Sequence, residues 1–421
     1  MRVLIVGNGA REDALSWKLA AAPSCSGVFA APGNAGTASR GENWAIAATD
    51  GKAILERTRR EAIDLVVLGP ESAIAAGVGD RLRDAGISTF GPNRSGGRLE
   101  SSKVFSKRFM ERHGIPTARA TIVHSFDQAV KALADWKGAC VVKADGLAAG
   151  KGVVVAPDAA AARVVLKDWY DNQRVPGGGA DVLLEERLRG REVSVFAVGD
   201  GRAMLPMAAA CDYKRAGDGD TGPNTGGMGA YSPPAAFPPD IFDQVRERIL
   251  APALRGLLAE GEQYVGVLYC GLMWTDDGPY VIEFNARFGD PEAQVLMPRI
   301  NGDFAQFLKS AADGALDPAQ ITFAHKACVG VVLATPEYPI TSTPVKGLPA
   351  DLELPDGAQA FWGASSRNGK TVDSNGGRAL TITALGDSVR DARTNAYAAV
   401  RALSSRLGNQ LTFRTDIAAD I

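Results

Sequence analysis

Three polar side chains, Glu283, Asn285 and Arg287, occupy alternate positions in the segment Val281–Glu292. Side chains alternate between the two faces of a β-strand, so the segment predicts that all three project together, with Val281 as the apolar start of the same row. A carboxylate and an amide oxygen suit a hard cation such as Mg²⁺, and a guanidinium suits a phosphoryl or carboxylate oxygen. The pattern indicates a metal–phosphate site. A strand end with one solvated ion pair is the alternative.

A glycine turn near the N-terminus, residues 7–12, lies between an apolar strand and a helical pattern. Phosphate groups bind at such helix starts, where backbone N–H groups point outward. Two features oppose a dinucleotide site: Glu12 occupies the third glycine position, and the second strand ends in Ala31–Asn34 without a carboxylate for a ribose. The turn therefore favours a monophosphate ligand over NAD. A tight turn that binds nothing is the alternative.

A segment rich in lysine and glycine, Lys143–Gly152, joins two apolar strands. Glycines let backbone N–H groups approach phosphates, and the two lysines add positive charge. The segment is not a Walker loop, because its glycine spacing is one residue short and no Ser or Thr follows Lys151. We predict that it contacts phosphate. A flexible, solvated hairpin is the alternative.

Two further segments carry polar groups that suit a small ligand. Glu185 and Glu186 end a predicted strand and Glu192 opens the next, so they form either exposed charge or an edge that reads an adenine amino group and ribose hydroxyls. The loop Asp212–Ser232 is rich in glycine and carries Thr and Asn side chains, which predicts that it wraps a small polar ligand. A disordered surface loop is the alternative, although long loops inside a domain are more often functional.

The elements that must position these groups fall into successive α/β and α+β units. Residues 1 to about 100 alternate apolar strands with helical patterns, which predicts a parallel sheet with ligands bound at the carboxyl ends of its strands. The predicted elements there are the strands Val3–Val6, Val28–Ala31, Leu65–Leu68 and Ser88–Phe90 and the helices Glu12–Ala22 and Ala53–Glu61.

The sequence after about residue 100 predicts three more structural regions. A helix at Lys103–His113 leads to a small α/β unit, and strand-rich segments with a hairpin ending at Asn285 follow it. A final α/β unit follows, with a helix that carries apolar residues at helical spacing. The predicted elements are the strands Cys140–Lys143, Val153–Ala156, Val182–Glu185, Val265–Thr275, Tyr280–Asn285, Ala327–Ala334 and Leu380–Ala384 and the helices Ile241–Leu258 and Val389–Leu403.

The length, amino-acid composition and net charge of the chain exclude several classes of protein. A chain of 421 residues predicts roughly two to four domains, and 46% hydrophobic with 22% charged residues is typical of a globular protein. A net charge of -2 gives no general attraction to nucleic acid or a membrane surface, and no apolar run approaches the ~20 residues of a membrane span. The five cysteines have no paired spacing, which favours a reduced cytoplasm over a disulfide framework or zinc site.

Taken together, the motifs resemble the phosphoribosylamine–glycine ligase family, also called glycinamide ribonucleotide synthetases, which are ATP-grasp enzymes of purine synthesis. The segment Arg287–Gln294 resembles the signature of that family, and the resemblance covers nearly the whole chain. The flanking motifs occur in the family's order: Gly7–Gly9, Pro32–Thr37, Gly69–Glu71, Lys143–Gly152, Asp220–Gly229 and Asn375–Arg378.

The resemblance implies a multidomain fold with four parts. A parallel-sheet pre-ATP-grasp domain at 1–100 lies on the phosphoribosylamine side, and a central ATP-grasp domain takes in 101–117 and 189–323. A small lid with a glycine-rich flap covers 118–188, and a C-terminal α/β domain covers 324–421.

The resemblance also implies the reaction. ATP, glycine and 5-phosphoribosylamine give ADP, phosphate and glycinamide ribonucleotide through a glycyl phosphate intermediate, with Mg²⁺ or Mn²⁺. Such chemistry needs a metal ion and positively charged groups that face the transferring phosphoryl group, and it needs the reactants to be positioned. It does not need a protein nucleophile. The expected partners are these small molecules in the cytoplasm, with no nucleic acid, membrane or obligate protein partner.

Residue roles follow from the same resemblance. Glu283 and Asn285 are expected to hold the metal, and Arg287 to stabilise the developing phosphoryl charge. The expected ATP-binding residues are Lys103, Lys143, Gly146, Gly150, Lys151, Gly152, Glu185, Glu186, Leu188 and Glu192. Gly9, Asn34 and Gly36, with Glu12 assisting, are expected on the phosphoribosylamine side. The residues expected to close over glycine and the acyl phosphate are Asp212, Lys214, Asn224, Thr225, Gly226 and Gly227.

The chain departs from the family pattern at a few positions. Asp13 stands where the family usually has histidine, and a carboxylate there favours the helix dipole but would repel a nearby phosphate. Ala10 replaces a glycine, Ala293 replaces a threonine, and residues 334–339 lack glycines that usually precede Tyr338. The departures at Asp13 and at 334–339 concern the sugar-phosphate contact and a C-terminal loop contact, and not the ATP chemistry.

Two other functions compete with the ligase. A different ATP-grasp ligase or carboxylase of the purine pathway would share Glu283 and Asn285 but take another carboxylate. A nucleotide-binding regulatory protein would keep the fold without turnover. The intact set of Lys143, Glu283, Asn285 and Arg287 argues against the regulatory protein.

Overall fold

The N-terminal region is built on a five-stranded parallel sheet in the order β3-β2-β1-β4-β5. The structure is a computed structural model that describes residues 1–134, 136–147, 152–172, 181–408 and 410–421. The elements of the region are β1 (Arg2–Gly7), α1 (Ala10–Ala20), β2 (Gly27–Pro32), β3 (Glu42–Asn43), α2 (Gly51–Arg60), β4 (Leu65–Leu68), α3 (Glu71–Ala75), α4 (Val78–Asp84), β5 (Thr89–Phe90) and α5 (Arg94–Ser101).

The central strand β1 is apolar on both faces because helices cover both. Val3 and Ile5 pack in one core with α1, whereas Leu4 and Val6 pack in a second core with α2, α3 and α4. The four strands predicted for this region have bounds that agree with those in the structure to within one residue at each end. Helix α1 begins two residues before the predicted Glu12, because the Glu12 carboxylate accepts a hydrogen bond from the Gly9 N–H at 2.6 Å and caps the first turn.

A small four-stranded antiparallel sheet follows, in the order β6-β9-β7-β8, and α7 and α8 pack together against it. Its own apolar core holds Val142, Leu166 and Leu184. The elements are α6 (Lys103–Arg112), β6 (Ala120–Val123), α7 (Phe126–Ala134), β7 (Cys140–Ala144), β8 (Val153–Ala156), α8 (Ala159–Asp171) and β9 (Val182–Glu186).

The largest sheet has eight antiparallel strands in the order β16-β15-β10-β11-β14-β19-β24-β21. Two helices and a π-helical turn, Arg246–Leu250, replace the single predicted helix between β14 and β15. The elements before the C-terminal region are β10 (Arg191–Asp200), β11 (Met204–Asp212), β12 (Arg215–Gly217), β13 (Thr221–Asn224), β14 (Gly229–Ser232), α9 (Ile241–Val245), α10 (Ala251–Ala259), β15 (Val265–Thr275), β16 (Gly278–Asn285), α11 (Glu292–Leu296), β17 (Ile300–Gly302), α12 (Phe304–Ala312) and β18 (Ile321–Phe323).

The C-terminal region shares the large sheet with the strands before it. Strand β14 pairs with β11 through Tyr231 and Cys211 and with β19 through Tyr231 and Val329, so the sheet is continuous across the predicted boundary at 324. A separate three-stranded sheet, β20-β23-β22, lies outside it. The elements are β19 (Ala327–Ala334), β20 (Leu348–Pro349), β21 (Ala358–Trp362), β22 (Ser365–Asn368), β23 (Thr371–Ser374), β24 (Arg378–Gly386) and α13 (Val389–Arg406).

A β-bulge in β16 corrects the predicted row of side chains. Gly271 pairs with Glu283 and Leu272 pairs with Val281, which leaves Ile282 unpaired. The extra residue reverses the alternation, so Val281 packs in the same core as Phe284 and not in the row of Glu283. The prediction that Val281 begins that row is wrong.

The glycine-rich loop after β11 is more regular than expected. It contains the hairpin β12–β13 and the sheet strand β14, and the last residues of the chain pack on the hairpin. The buried Arg414 side chain donates hydrogen bonds to Asp416 at 2.7 Å, to Asp220 Oδ1 at 2.8 Å and to the Arg215 carbonyl at 3.1 Å. Local periodicity cannot show this support, because it comes from the far end of the chain.

Loss of the Arg414 side chain is expected to open the hairpin to trypsin at Lys214–Arg215. Arg414→Met removes every bond that Arg414 makes to the hairpin, so cleavage there should accelerate about tenfold, which corresponds to about 1.4 kcal/mol in local opening free energy. Limited proteolysis with mass identification of the fragments measures it. The exposed Arg406→Met is the matched control on α13, and equal cleavage rates in the two variants would contradict the packing role.

No helix within the described ranges has both the length and the apolar character needed to cross a membrane.

Candidate active site

Glu283, Asn285 and Arg287 lie together where β16 ends. The Arg287 guanidinium donates a hydrogen bond from Nη2 to the Asn285 side-chain oxygen at 3.1 Å, although Arg287 itself follows the strand. The structure therefore brings together the three residues that the sequence singled out, and the contact between Asn285 and Arg287 comes from the turn after the strand.

Positive charge surrounds Glu283. Burial by itself raises the pKa of this carboxyl, but the attraction of Lys214, Lys143, Lys103 and Arg287 outweighs burial and holds the pKa below its ordinary value. Glu283 is therefore ionised at neutral pH. A carboxylate among four cations can hold a metal ion while the cations face the oxygens of a polyphosphate.

Arg287 has carboxylate partners that sequence reasoning missed. Its Nη2 lies 2.6 Å from Glu100 Oε1 and its Nε lies 3.5 Å from Glu71 Oε2. Burial raises the pKa of Glu100, against the opposing attraction of Arg287. The glycine loop at 69–71 gave a signal for Glu71, but nothing in the pattern around Glu100 did. These two ion pairs hold the guanidinium beside Asn285.

The lysines predicted to contact ATP lie near the base of the glycine-rich flap. Lys103 donates to the Gly146 carbonyl at 2.9 Å, and Lys143 donates to the Ile282 carbonyl at 2.9 Å. Gly152 accepts a backbone hydrogen bond from Ala144 at 2.8 Å. The other two predicted flap positions, Gly150 and Lys151, lie outside the described residues.

The four residues of the predicted adenine and ribose edge occupy different environments. The Glu185 carboxylate is buried between Lys143 at 2.6 Å and Lys107 at 2.9 Å. Glu186 is exposed and Leu188 is half-buried. Glu192 bonds Lys214 at 2.7 Å, beside Asp212 rather than beside the lid strand. Lys107 was missed, although its position one helical turn after Lys103 is a usable signal.

Asp212 and Lys214 lie near Glu283, one of the two expected metal ligands. The Asp212 side chain is 8% exposed, and its nearest cationic partner is Lys214 Nζ at 3.9 Å, beyond hydrogen-bond distance. Burial raises the pKa of Asp212 to about 7, with Lys214 opposing and Glu292 and Glu283 adding to the rise. The structure thus places a weakly paired, buried carboxyl next to the expected metal ligands.

The segment from Asn224 to Gly227 lies between the signature segment and the C-terminal strands. The Gly226 N–H donates to the Tyr338 hydroxyl at 2.9 Å, and Arg378 donates to the Gly226 carbonyl and to the Asp290 carbonyl, each at 2.6 Å. Gly227 has a φ of +110° and a Cβ there would overlap Pro291, so the close approach needs glycine. Thr225 holds the turn through hydrogen bonds to Lys214.

The N-terminal turn contacts the signature segment directly. Glu12 accepts hydrogen bonds from the Gly9 N–H and from Arg11 Nε, each at 2.6 Å. Arg11 also donates to the Phe288 carbonyl at 3.1 Å. The expected phosphoribosylamine side therefore lies next to the residues that follow the metal site.

Asn34 connects three backbone segments. Its side-chain amide donates to the carbonyls of Asn8 and Gly9 at 3.0 Å and of Trp362 at 2.8 Å, and its oxygen accepts from the Gly36 N–H at 2.9 Å. Asn34 therefore shapes the loop from inside. Gly36 is buried like Asn34, whereas Asn8 of the neighbouring turn is exposed and Gly9 is half-buried.

Asp13 lies beneath that loop and is fully buried. Its carboxylate pairs with Arg40 and accepts a hydrogen bond from the Trp362 N–H at 2.7 Å, so it joins α1 to the end of β21. A Cβ on Gly36 would overlap the same carboxylate. Burial raises the pKa of Asp13 to about 6, although Arg40, the Trp362 N–H and Ser16 oppose the rise.

Asp13 is expected to make stability depend on pH between 4 and 7. Because the folded pKa of about 6 exceeds the ordinary 3.8, the folded state binds the proton more tightly, and stability is lost as pH rises through this window, by about 3 kcal/mol. Asp13→Asn cannot titrate, so the variant should gain thermal midpoint relative to the wild type as pH rises. Exposed Asp127→Asn is the control, and a difference that stays constant across the window would refute the assignment.

Three family models match successive parts of the chain. The N domain of phosphoribosylglycinamide synthetase matches residues 1–100, its ATP-grasp (A) domain matches residues 101–293 and its C domain matches residues 328–420. The chain belongs to the phosphoribosylamine–glycine ligase family. This confirms the resemblance and the fold class inferred from the motifs, and it makes the chain an ATP-dependent ligase of the ATP-grasp type.

Named relatives agree with this family over nearly their whole length. A phosphoribosylamine–glycine ligase of Allochromatium vinosum is 44% identical over 95% of this chain and 94% of its own length. One of Caulobacter vibrioides is also 44% identical, over 99% of this chain and 97% of its own length.

Solved structures support the same fold. A phosphoribosylamine–glycine ligase of Thermotoga maritima has a TM-score of 0.83 and 32% identity, with 99% of this chain and 100% of that chain covered. A biotin carboxylase domain of Hydrogenobacter thermophilus, in complex with ADP and magnesium, has a TM-score of 0.72 at 15% identity over 98% of this chain and 90% of that chain. At that identity the likeness shows the ATP-grasp fold alone.

Proposed function

We propose that this ligase joins glycine to 5-phosphoribosylamine through a glycyl phosphate intermediate, releasing ADP and phosphate. The observation that carries the proposal is the placement of Glu283 among Lys103, Lys143, Lys214 and Arg287. This cluster lies beside the signature segment that also contacts the N-terminal turn. A polyphosphate, a metal and two small substrates can meet there.

The chemistry needs two displacements. A glycine carboxylate oxygen attacks the γ-phosphorus of ATP and ADP leaves, because a carboxylate is otherwise a poor electrophile. The phosphoribosylamine nitrogen then attacks the acyl carbon, phosphate leaves and the nitrogen loses a proton. Neither step requires a protein nucleophile, so positioning and charge stabilisation carry the catalysis.

Glu283 and Asn285 would hold Mg²⁺ or Mn²⁺, which would neutralise charge on the transferring phosphoryl group. Both offer oxygen donors, which hard cations prefer, and the depressed pKa keeps Glu283 ionised. In the part of the chain that the structure describes, no cluster of three or more His, Cys, Asp or Glu side chains could hold a metal alone.

The remaining roles follow the geometry of the same cluster. Arg287, fixed by Glu100, would face the transferring phosphoryl group. Asp212 and Lys214 would close over glycine. Among the described residues the nearest cation to the buried Asp212 carboxylate is Lys214 at 3.9 Å, which leaves the carboxylate available to the ammonium group of glycine. The backbone from Asn224 to Gly227 would cover the acyl phosphate.

The nucleotide and sugar phosphate would occupy opposite sides of the cluster. We place phosphoribosylamine on Gly9, Gly36 and the loop that Asn34 shapes, with Glu12 holding the turn. The residues proposed to contact ATP are Lys103, Lys143, Gly146, Gly150, Lys151, Gly152, Glu185, Glu186, Leu188 and Glu192.

We also propose the domain bounds 1–100, 101–117 with 189–323, 118–188 and 324–421. The parallel sheet and the lid sheet support the first and third, since each sheet draws all its strands from one of those ranges. The continuous eight-stranded sheet takes strands from the second range and from the fourth, so 189–323 and 324–421 share one sheet. A cytoplasmic setting is proposed from the five unpaired cysteines, and only small-molecule partners are proposed.

An ADP-release assay with substrate omission tests the proposed reaction. With Mg²⁺, ATP, glycine and freshly made phosphoribosylamine, ADP should form, and omission of glycine should stop it. A panel with formate, bicarbonate and other small carboxylates separates this ligase from other ATP-grasp ligases and carboxylases. ADP formation that is indifferent to glycine would exclude the proposal.

A further inference from the structure

Lys107 is a buried lysine that lies one helical turn after Lys103 on α6, with 2% of its side chain exposed. Its ammonium group has three partners: Glu185 Oε1 at 2.9 Å, the Thr117 hydroxyl at 2.7 Å and the Ala118 carbonyl at 2.8 Å. An ammonium group has three donors, so Lys107 has none left for a ligand. Any effect of Lys107 on catalysis must act through these partners.

Glu185 is shared between two lysines. Its Oε2 lies 2.6 Å from Lys143 Nζ, while its Oε1 bonds Lys107. Burial raises the pKa of Glu185, but the two lysines outweigh burial and hold the pKa below its ordinary value. One negative charge thus lies between two positive charges, and the triad carries one net positive charge.

We propose that Lys107 is a positioning residue for ATP binding. By binding Oε1 of Glu185, whose Oε2 binds Lys143, Lys107 sets the position of the Lys143 ammonium group and the positive charge that this group presents to ATP. The proposal rests on the proposed contact between Lys143 and ATP phosphates. With Lys107 present, Glu185 neutralises only part of Lys143, whose positive charge stays available to the polyphosphate. Without Lys107, Glu185 and Lys143 form an ion pair with no net charge, which attracts phosphate less strongly than the positively charged triad does.

The same ammonium group connects the lid to the metal strand. Thr117, which bonds Lys107, also donates to the Val281 carbonyl of β16 at 2.8 Å. Ala118 leads into the first lid strand, and Glu185 lies on the lid strand β9. Lys107 therefore holds the base of the lid at the strand that ends in the expected metal ligands, so two effects must be separated: charge on Lys143 and placement of the lid.

A double-mutant cycle with Lys107→Met and Glu185→Gln separates them. Lys107→Met should raise the KM for ATP about tenfold and leave the KM for glycine within about twofold, as expected for loss of a buried charge-assisted bond. Adding Glu185→Gln removes the surplus negative charge, so the double variant should have a lower KM for ATP than Lys107→Met alone. Lys309→Met, a surface lysine paired with Asp313, is the matched control.

Three results would overturn the proposal: an unchanged KM for ATP in Lys107→Met, a KM for glycine that rises in parallel, or a double variant that folds but stays as weak as the single one. If Lys107→Met does not fold, the double variant decides, because it leaves no unpaired buried charge. Binding of a non-hydrolysable ATP analogue is measured alongside. If the wild type fails to bind the analogue, the proposed function is refuted instead. If the wild type and Lys107→Met bind the analogue with equal affinity, only this inference is refuted.

Discussion

Glu283→Gln is expected to lose about 10³-fold or more in kcat while the protein stays folded. The change keeps the shape of the side chain but removes the negative charge of a carboxylate that Lys214, Lys143, Lys103 and Arg287 all attract. A metal at a phosphoryl group contributes several kcal/mol to the transition state, and ~4 kcal/mol corresponds to about 10³ in rate. Steady-state ADP release across a titration of Mg²⁺ measures the loss, which excess metal should only partly restore.

The matched control for this prediction is Glu262→Gln. Glu262 is a buried glutamate, whereas Glu283 is half-buried, and the Glu262 carboxylate bonds Ser95 on α5 rather than a member of the cation cluster. The control should keep near-normal kcat, and both variants should keep similar thermal midpoints. Near-normal kcat in Glu283→Gln would remove the metal assignment.

Arg287→Met is expected to lower the free energy of unfolding by ~3–5 kcal/mol and to abolish turnover. The change leaves Glu100 buried without the guanidinium that lies 2.6 Å away, and breaking one side of a buried ion pair has this magnitude. Asn285 loses its hydrogen bond from the same group. Thermal and denaturant unfolding measure the first effect, and ADP release measures the second.

A second substitution separates the two effects of Arg287. Arg287→Met with Glu100→Gln removes the unpaired charge, so the double variant should recover much of the lost stability and none of the activity. Recovery of both would mean that Arg287 acts only as a structural partner of Glu100. A stable but inactive double variant is the expected result.

The sequence predicted local elements well because their causes are local. The apolar runs Leu65–Leu68 and Val153–Ala156 have the bounds that the structure shows, since burial on a sheet is visible in the residue pattern. The predicted row was right for Glu283 and Asn285, whereas Arg287 joins them from the turn after the strand. The row was wrong for Val281, because a bulge inserts one residue and alternation alone cannot show a bulge. The family resemblance supplied what local pattern lacked.

Contacts between distant parts of the chain could not be predicted from spacing. Lys107 meets Glu185, and Arg414 meets Asp220, only because the fold brings separate elements together. Glu185 was expected at an adenine edge on the basis of its strand position, whereas the partner of its carboxylate depends on a helix elsewhere in the chain. Strand pairing has the same limit: nothing local shows that β14 pairs with β19.

Transfer of an oxygen atom from glycine to phosphate tests the central claim most directly. Glycine labelled with ¹⁸O in its carboxylate is incubated with ATP, Mg²⁺ and phosphoribosylamine, and the released phosphate is analysed by mass spectrometry. A glycyl phosphate intermediate requires the bridging oxygen to come from glycine, so each turnover should place one labelled oxygen in phosphate. Formation of glycinamide ribonucleotide with unlabelled phosphate would contradict the proposed mechanism.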